Sequence, residues 1–481
     1  MLWEERNERL LLSACSLLAA AVLLLLCSMS SPLYPINIWD DANCLLTVGR
    51  VMKEGGVLYR DIYEQKGPLL YGIHALAAMI SDSSFLGVYL MEVLAFTATL
   101  RFAQKTLRLW INRTASWTGM LLFGSAVVIS RAFSRGDSAE EFCLPFLMAV
   151  LYIVCAQEKR GSNALEAKPL FVLGLLAGCV AAIKFTVLGF FLGVCFAQGL
   201  GQLGRRDFRG VLVSAGAFLA GMLLAAAPWL CYFAAHGALE DAYTAYIHNN
   251  VFLYNAGAGD AGEKLLSAAY AVWNNLFFML PALLGVGAAC WRRGFVRLAV
   301  LLGALCAFAA VFLLGSIYPY YPLVLCVFAP LGLACVLRKL ENMPQKGLLA
   351  LAASLSLAAA LLLSPNAFLR GVKLEDTAQG RLAAKIEPGA TLLQYSHLDD
   401  GLYLASGALP QEKYFVRLNV NLNEMQEALD EAVREGRPDY VLVSWRELPA
   451  EFERYALIAY DTGYNDEGRL NKDFYLYKRV E

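Results

Sequence analysis

The sequence predicts an α-helical polytopic membrane protein that ends in a small α/β domain. Of its 481 residues, 58% are hydrophobic and only 17% are charged, whereas soluble domains carry about 45–50% apolar and about 25% charged residues. The charge is also uneven, because 34 of the 81 charged residues lie between Arg370 and Glu481. These values exclude a cytosolic enzyme. The net charge of −1 provides no basic field that would favour nucleic acid as a partner.

Eleven apolar runs are candidate transmembrane helices, each of which needs about 20 mostly apolar residues. The first run follows two arginines and lacks a small-residue cleavage site, so we expect a retained span and not a signal peptide. The stretch around Lys184 fits either one long span or two short ones. Pro68–Ile80 is too short to cross comfortably and is expected to lie along the interface. The runs are Leu10–Ser30, Phe85–Leu107, Ala115–Ala132, Phe142–Ala156, Pro169–Ile183, Val187–Leu203, Gly210–Phe233, Leu265–Cys290, Leu298–Leu314, Tyr320–Leu337 and Gly347–Leu363.

Basic clusters orient these spans in the bilayer of the cell membrane. Clusters of Lys and Arg follow every second span, and cytoplasmic loops carry such an excess. The sequence therefore predicts a cytoplasmic N-terminus and an extracytoplasmic C-terminal domain. The clusters are Lys105/Arg108/Arg113, Lys159/Arg160/Lys168, Arg205/Arg206/Arg209, Arg292/Arg293/Arg297 and Arg338/Lys339/Lys346.

Residues 1–365 are predicted to form the membrane domain and residues 366–481 the outer α/β domain. The outer domain contains a helical pattern over Asn423–Glu435, which Asn421 or Asn423 would cap and Gly436 would end. It has no Gly-rich phosphate loop or nucleophile elbow, so we expect no chemistry of its own. Twelve cysteines, none in a C-x-x-C pair, are interpreted as small buried hydrophobes. The predicted strands are Thr391–Tyr395, Tyr440–Ser444, Ala456–Tyr460 and Asp473–Tyr477.

Two adjacent carboxylates, Asp40 and Asp41, stand near the start of the first outer loop, which covers residues 31–84. Charges this close to the hydrocarbon are costly unless they are paired or used. In one interpretation Asp41 is the N-cap of a helix over Ala42–Met52. In the other, one carboxylate is a general base and its neighbour positions it or binds substrate. The residues themselves leave both interpretations open.

The same loop then combines cations with tyrosines. Lys66, before a Gly-Pro pair, is expected to bind a phosphate as a point charge, and Arg60 as a bidentate donor. Asp61 and Tyr63 are candidate substrate-binding residues beside them. The alternative is that the cations snorkel to bulk lipid headgroups, which accounts better for a single lysine than for the whole set.

A second outer segment, SRGDSAEEF, carries Arg135, Asp137, Glu140 and Glu141 between closely spaced spans. These residues either contact substrate or hold the first loop through ion pairs. Lys184 lies within an apolar run, where an ionisable residue indicates a functional site. Its expected partner is a lipid phosphate or one of these carboxylates. Alternatively, it caps two half-helices that meet there.

His248 and Tyr320 lie in aromatic segments at outer interfaces. Aromatic belts at the membrane surface are the favoured interpretation, and contact with a sugar or phosphate is the alternative. No two histidines have metal-ligand spacing. We therefore expect that no cofactor is required, with a divalent metal left open.

These motifs resemble the GT-C superfamily of integral-membrane glycosyltransferases, and in particular the bacterial branch related to protein mannosyltransferases and aminoarabinose lipid A transferases. The resemblance covers roughly residues 1–365. It depends on the acidic pair, the Tyr-Arg-Asp…Lys-Gly-Pro-Leu-Leu-Tyr stretch over residues 59–71, the acidic second outer segment and the lysine of G-L-L-A-G…K-F-T.

The resemblance implies inverting transfer of a sugar from a polyprenyl-phosphate donor to an envelope acceptor on the outer face. It assigns Asp40 as the base and Lys66 to the lipid phosphate. The usual acidic pair is Asp-Glu and here it is Asp40-Asp41, which leaves the role of the second acid open. The competing class is a transporter or flippase of a lipid-linked or anionic substrate, although the chain shows no internal repeat of the kind common in transporters.

Overall fold

The computed structural model describes residues 2–161, 164–253, 261–292, 294–313, 318–420 and 422–480. Most of this part of the chain is helical, and a small sheet lies near its C-terminal end. The helices are α1 (Leu2–Cys27), α2 (Asp40–Lys53), α3 (Pro68–Ile80), α4 (Leu86–Leu107), α5 (Arg113–Val128), α6 (Ala139–Arg160), α7 (Ala167–Lys184), α8 (Gly189–Leu203), α9 (Phe208–Ala235), α10 (Leu239–Ala242), α11 (Ala261–Asn274), α12 (Leu276–Ala289), α13 (Gly294–Phe312), α14 (Ala329–Lys339), α15 (Gln345–Leu363), α16 (Ala378–Ala383), α17 (Leu402–Ser406) and α18 (Asn423–Glu435).

Seven helices in the described ranges are long and apolar enough to cross a membrane, or eight if the bent pair α11 and α12 is one span. The predicted count of about eleven is therefore not confirmed. Helix α5 has only 16 residues, and a 3-10 turn, Phe185–Leu188, joins α7 and α8 into one apolar passage of 37 residues. The apolar run Pro68–Ile80 forms the short helix α3, and its position along the membrane interface stays a prediction.

The predicted span Leu265–Cys290 is broken, because α11 and α12 meet at 106°. Asn275 lies at the break and its side chain is buried. Its amide oxygen accepts the backbone N–H of Ala132 at 2.8 Å, and its amide nitrogen donates to the carbonyl of Ala271 at 2.8 Å. A polar side chain that bonds backbone groups in this way stabilises the interruption of an otherwise apolar helix.

The chain forms two compact units. Unit 1 comprises Met1–Cys27, Glu92–Pro228 and Gly257–Ala367. Its helices approach closely at small residues: a Cβ added at Gly174 of α7 would collide with the carbonyl oxygen of Phe218, and one at Gly221 of α9 with that of Phe171. Such contacts between small residues are typical of helix packing in membranes, where dispersion and not the hydrophobic effect holds helices together.

Unit 2 comprises Ser28–Met91, Trp229–Ala256 and Phe368–Glu481. Its sheet contains β1 (Leu392–Gln394), β2 (Tyr440–Ser444), β3 (Tyr455–Tyr464) and β4 (Leu470–Arg479), in the order β1-β2-β4-β3. Strands β1 and β2 are parallel, and the other pairs are antiparallel. The four predicted strands and the helix Asn423–Glu435 are thus confirmed in kind.

Two details of the sequence analysis are corrected. Asn423 is the first residue of α18, and the N-cap position belongs to Leu422, which makes no side-chain cap bond. Asn421 lies outside the described residues. Gly436 does end the helix, in a left-handed conformation with φ 71°. All twelve cysteines are free, but Cys231 and Cys290 are exposed and not buried.

Candidate active site

Helix α2 places the acidic pair in its first turn. The helix begins at Asp40, and the N-cap position is held by Trp39, which makes no side-chain cap bond. The interpretation of Asp41 as the N-cap is therefore wrong. The chain is instead turned into the helix by Asn37, whose side chain accepts the N–H of Trp39, and by Asn43, which donates to the carbonyls of Asn37 and Trp39.

The two carboxylates reach different lysines. Side chains of neighbouring residues on a helix point about 100° apart, so Asp40 and Asp41 face different directions. Lys472, from β4, contacts both oxygens of Asp40 at 2.8 and 2.7 Å. Lys66, from the first outer loop, contacts Asp41 at 2.7 Å. Each acid is thus held in a separate ion pair, and the negative charges at the start of the helix also complement its dipole.

The cluster around Asp40 contains two further carboxylates. Asp400 lies 2.6 Å from the ammonium of Lys472, and Asp466 accepts the backbone N–H of Asp40 at 3.4 Å. The side chains of Asp40 and Lys472 are only 10% and 3% exposed. Burial, reinforced by Asp466, raises the pKa of Asp40 well above its usual range even though Lys472 acts to lower it. Burial also raises the pKa of Asp466 to about 6.

Lys66 is shared between two acids. Besides Asp41 it contacts Glu64 at 3.2 Å, and Glu64 also accepts the backbone N–H groups of Gln65 and Lys66. Burial acts to lower the pKa of Lys66, but Asp41 and Glu64 outweigh it and hold that pKa well above its usual value. The ammonium is therefore charged, and it lies within a short loop that Tyr71 also fixes by its hydroxyl.

Arg60 and Asp61 form an exposed pair with each other. The guanidinium of Arg60 donates two bonds to Asp61, at 2.8 and 2.9 Å, and one to the carbonyl of His236. Asp61 also accepts the N–H of Val57. Both side chains are about 40% exposed. In this arrangement the N–H groups of Arg60 bond residues of unit 2. Contact between Arg60 and the phosphate of the sugar donor stays a prediction.

A π-helical segment, Tyr243–Leu253, packs beside this loop. Asn249 donates to the hydroxyl of Tyr63 at 2.8 Å, and Asn250 donates to the carbonyl of Gln65 at 2.7 Å. His248, in the same segment, contacts the side-chain oxygen of Asn249 at 3.1 Å. These bonds tie Tyr63 and His248 to one structural framework in unit 2, and their contact with substrate stays a prediction.

In unit 1, Lys184 ends α7 and pairs with Glu140 at 2.6 Å, so one of its two expected partners, a carboxylate of the second outer segment, is present. Its ammonium lies 3.8 Å from the ring centroid of Tyr321 and 5.4 Å from that of Tyr320. Aromatic faces attract cations, so a carboxylate and two tyrosines together stabilise this charge. The ammonium of Lys184 thus contacts Glu140 and the ring of Tyr321. Binding of a phosphate by Lys184 stays a prediction.

Glu92 and Glu141 of unit 1 bond the loop before α6. The backbone N–H of Asp137 donates to Glu92 at 2.8 Å and to Glu141 at 3.0 Å. Asp137 itself has a left-handed backbone, φ 61°, as does Ser134 with φ 55°. Arg135 donates to the carbonyl of Pro365 and to the side chain of Asn366. Substrate contacts of Arg135, Asp137 and Glu141 stay predictions.

The sequence analysis missed the contribution of the C-terminal segment. In unit 2, Lys472, Asp400 and Asp466 from this segment surround Asp40, and the expectation that the segment adds no chemistry of its own stays a prediction. A signal was present: alternate residues of a strand share one face, and Lys472, Phe474 and Leu476 are all buried on β4. A lysine in an inward position of a strand requires an acidic partner. Among the described residues, no group of three or more His, Cys, Asp and Glu has the geometry of a metal site.

No family model and no curated protein matches the chain by sequence. Solved structures do match its fold. ArnT from Cupriavidus metallidurans, bound to undecaprenyl phosphate, has a TM-score of 0.65 at 13% identity, with 98% of each chain covered. ArnT, an aminoarabinose lipid A transferase, is a GT-C glycosyltransferase. The chain has the GT-C fold.

Archaeal oligosaccharyltransferases match the same fold more distantly. AglB from Archaeoglobus fulgidus, in complex with an inhibitory peptide and a dolichol-phosphate, has a TM-score of 0.50 at 12% identity and covers 100% of this chain and 75% of its own. An A. fulgidus oligosaccharyltransferase in complex with Zn and sulfate has a TM-score of 0.51 at 14% identity, with coverages of 95% and 72%. The predicted fold class, an apolar helical GT-C membrane domain with a small α/β part, is therefore confirmed.

Proposed function

We propose that this GT-C protein is an inverting glycosyltransferase that moves a sugar from a polyprenyl-phosphate donor to an envelope acceptor. The observation that carries the proposal is the first turn of α2, where Asp40 and Asp41 are each bonded to a separate lysine. The GT-C fold adds support, because ArnT is bound to undecaprenyl phosphate and AglB to a dolichol-phosphate in solved structures. A lipid-linked donor also suits a chain made largely of apolar helices.

The chemistry needs one base and one cation. An acceptor hydroxyl attacks the anomeric carbon, its proton passes to the carboxylate of Asp40, and the bond between that carbon and the phosphate oxygen breaks. The electron pair leaves with the phosphate, which is a good leaving group and needs a positive charge more than a proton. A buried carboxylate with a raised pKa suits proton uptake near neutral pH. Inversion follows because a single displacement occurs on the face opposite the phosphate.

Lys66 is the proposed partner of the donor phosphate. Its ammonium already lies between Asp41 and Glu64, so an incoming phosphate would share or replace one of these carboxylates. Because the lysine is charged before the donor arrives, no proton has to move on binding. The second acid, Asp41, would then position the lysine for the phosphate. This assignment gives the Asp-Asp pair two separate tasks.

The reaction is proposed to occur on the outer face of the membrane. The support is the alternation of basic clusters along the sequence, which assigns the N-terminus to the cytoplasm and the loop 31–84 with the C-terminal segment to the outside. A polyprenyl-phosphate sugar and an envelope polymer or lipid are both available to an active site in that position. No nucleotide is needed there, since the donor carries its own leaving group.

The test is a transfer assay on the purified full chain in lipid nanodiscs. Undecaprenyl-phosphate monosaccharides serve as donors and an envelope extract serves as acceptor, and mass spectrometry measures the undecaprenyl phosphate released. Asp40→Asn keeps the size of the side chain but cannot accept the proton, so turnover should fall by about 10²–10⁴. Asp41→Asn is the matched variant and should cost less.

The outcomes separate the competing functions. Near wild-type turnover in a folded Asp40→Asn variant eliminates Asp40 as the base. The protein is also reconstituted in lipid vesicles. If no donor is cleaved and the protein instead moves a lipid-linked sugar from one leaflet of the vesicle to the other, it is a flippase and the proposal fails. Thermal unfolding of each variant shows that loss of turnover does not reflect loss of folded protein.

A further inference from the structure

We propose that Lys472 is the positioning residue of Asp40: strand β4 brings its ammonium onto both oxygens of this carboxylate, where it orients the base and sets its charge. This inference rests on the proposed function, in which Asp40 takes the acceptor proton. It assigns to the C-terminal segment a direct part in the chemistry, through a residue 432 positions away from the base.

The geometry fixes the carboxylate plane. Contacts of 2.8 and 2.7 Å from one ammonium to the two oxygens of Asp40 leave its side chain little freedom to rotate. The lysine is itself held, because its third contact is Asp400 at 2.6 Å and it is almost fully buried on the inner face of β4 beside Phe474. A base that must face one acceptor hydroxyl gains from such restraint, since misplacement by about 1 Å costs about 10²-fold in rate.

The balance of charge argues against a purely structural ion pair. Asp40, Asp400 and Asp466 face the single ammonium of Lys472 among the described side chains. A buried pair is at best weakly stabilising when its charges match, and three carboxyl groups around one cation cannot all ionise without an excess of negative charge out of water. Sites that keep such unfavourable charge are typically functional, because the excess tunes the pKa of a working group.

The charge on Asp40 is therefore set by competition. Burial contributes most to the raised pKa of Asp40, and Asp466 and Asp400 also favour the protonated acid, whereas Lys472 favours the ionised carboxylate. Asp41 acts on Asp466, and His397 lies near Asp41 and Lys472 at the edge of the same cluster. Removing the lysine should raise the pH at which Asp40 becomes a base. Removing Asp400 should lower it, because the lysine then has one fewer competing partner.

Two variants test these opposite directions: Lys472→Met, which keeps length but removes the charge, and Asp400→Asn, which keeps shape. Full-length protein in nanodiscs is assayed from pH 5 to 9 with the undecaprenyl-phosphate monosaccharide that wild type cleaves. In Lys472→Met the acidic limb of kcat/KM should move up by about 1–3 pH units. In Asp400→Asn it should move down, while the KM for the donor stays unchanged in both.

The outcomes distinguish this inference from the proposed function. If Asp40→Asn is inactive but neither variant moves the acidic limb, Lys472 is structural and the inference is overturned, while Asp40 remains the base. If Asp40→Asn stays active, the proposed base itself fails. Should Lys472→Met not fold, Asp400→Asn decides the matter alone, since an unchanged or upward-shifted limb contradicts the competition between Asp400 and Asp40 for the lysine.

Discussion

In unit 2 the acids Asp40 and Asp41 bond lysine side chains that lie 432 and 25 residues away in the sequence. In unit 1 the acids Glu92 and Glu141 instead accept a backbone N–H, that of Asp137. The backbone of Asp137 is in the left-handed region, which is costly for a residue with a side chain. These acids therefore offset the cost of an unusual loop and serve mainly to hold it.

Side-chain ion pairs and backbone bonds differ in what a ligand can do to them. A lysine that contacts two carboxylates can exchange one of them for a phosphate, because its remaining donors stay in place. Glu92 and Glu141 share one buried backbone N–H, and loss of both acids would leave that group unsatisfied at a cost of about 1–3 kcal/mol. We therefore expect the exchangeable acids of unit 2 to take part in the proposed chemistry, whereas substrate contact by the acids of unit 1 stays a prediction.

The largest expected effect concerns an ion pair of unit 1 that resembles those of unit 2, Lys184 with Glu140. Their side chains are 16% and 2% exposed. Lys184→Met leaves Glu140 buried without its cation, which should lower the free energy of unfolding by about 3–5 kcal/mol. Thermal unfolding of the nanodisc-embedded protein measures the loss. The double variant Lys184→Met/Glu140→Gln should recover most of it, because no charge is then left unpaired.

The same double variant tests whether the ion pairs of unit 1 and unit 2 differ in function. If Lys184 binds the donor phosphate as the sequence analysis predicted, the double variant will be stable but will bind an undecaprenyl-phosphate monosaccharide about tenfold or more weakly, a change of about 1.4 kcal/mol. Unit 1 would then share the chemistry of unit 2. Unchanged donor affinity together with recovered stability assigns the pair to the structure.

The second effect concerns pH, because the acids of unit 2 are buried. Asp399 accepts bonds from Thr47, Gln394 and the N–H of Gly401, yet burial outweighs these bonds and raises its pKa to about 6. A raised carboxyl pKa means that the folded state holds a proton that the unfolded state has released. Stability from this group is therefore full below about pH 4 and is lost as the pH rises through about 6.

The measurement is the thermal unfolding temperature between pH 4 and pH 7. The loss attributable to Asp399 should reach about 3 kcal/mol, and Asp466, with its pKa also raised to about 6, acts in the same direction. Asp399→Asn cannot titrate, so the slope with pH should become shallower whatever the absolute stability of the variant. An unchanged slope would show that Asp399 is already ionised at pH 4 in the folded protein.

Local sequence patterns predicted the helices and strands of the fold well. The reason is that where a helix or strand begins and ends depends mainly on residues close in the sequence. Helix α3 begins and ends where the apolar run Pro68–Ile80 does, and Gly436 ends α18 in the left-handed conformation that glycine favours. The break at Asn275 could not be predicted, because the N–H that stabilises it belongs to Ala132, far away in the sequence. This break is one reason why the predicted number of spans is not confirmed.

The acidic pair was identified in the sequence, but neither of its lysine partners was, because Lys66 was assigned to a phosphate. Lys66 stands 25 residues from Asp41 on the same loop, where a search for charges would meet it. Lys472 belongs to a strand of the C-terminal sheet, and only the three-dimensional arrangement of unit 2 brings it to Asp40. The alternation of buried and less buried residues along β4 places Lys472 on the inner face. It does not identify the acid that Lys472 contacts. Partners so far apart in the sequence can be identified only from the three-dimensional structure.

The smallest expected effect compares the two cations of the first outer loop, Lys66 and Arg60. Lys66→Gln removes the charge that is proposed to meet the donor phosphate, so the Kd for an undecaprenyl-phosphate monosaccharide should rise about tenfold, equivalent to about 1.4 kcal/mol. The effect is moderate because the wild-type lysine gives up part of its contact with Asp41 or Glu64 in exchange. Binding to the nanodisc-embedded protein is measured directly, without turnover.

Arg60→Gln is the matched control, since it removes one positive charge from the same loop. Arg60 is about 40% exposed and its donors already serve Asp61 and the carbonyl of His236. Exposed ion pairs are worth about 0–1 kcal/mol, so donor affinity should change by less than about threefold. If both variants lose affinity equally, the effect is one of general charge at the membrane surface, and Lys66 has no specific place at the phosphate. A tenfold loss in Arg60→Gln alone would transfer the phosphate contact to the guanidinium, whose bond to Asp61 would then have to open when the donor binds.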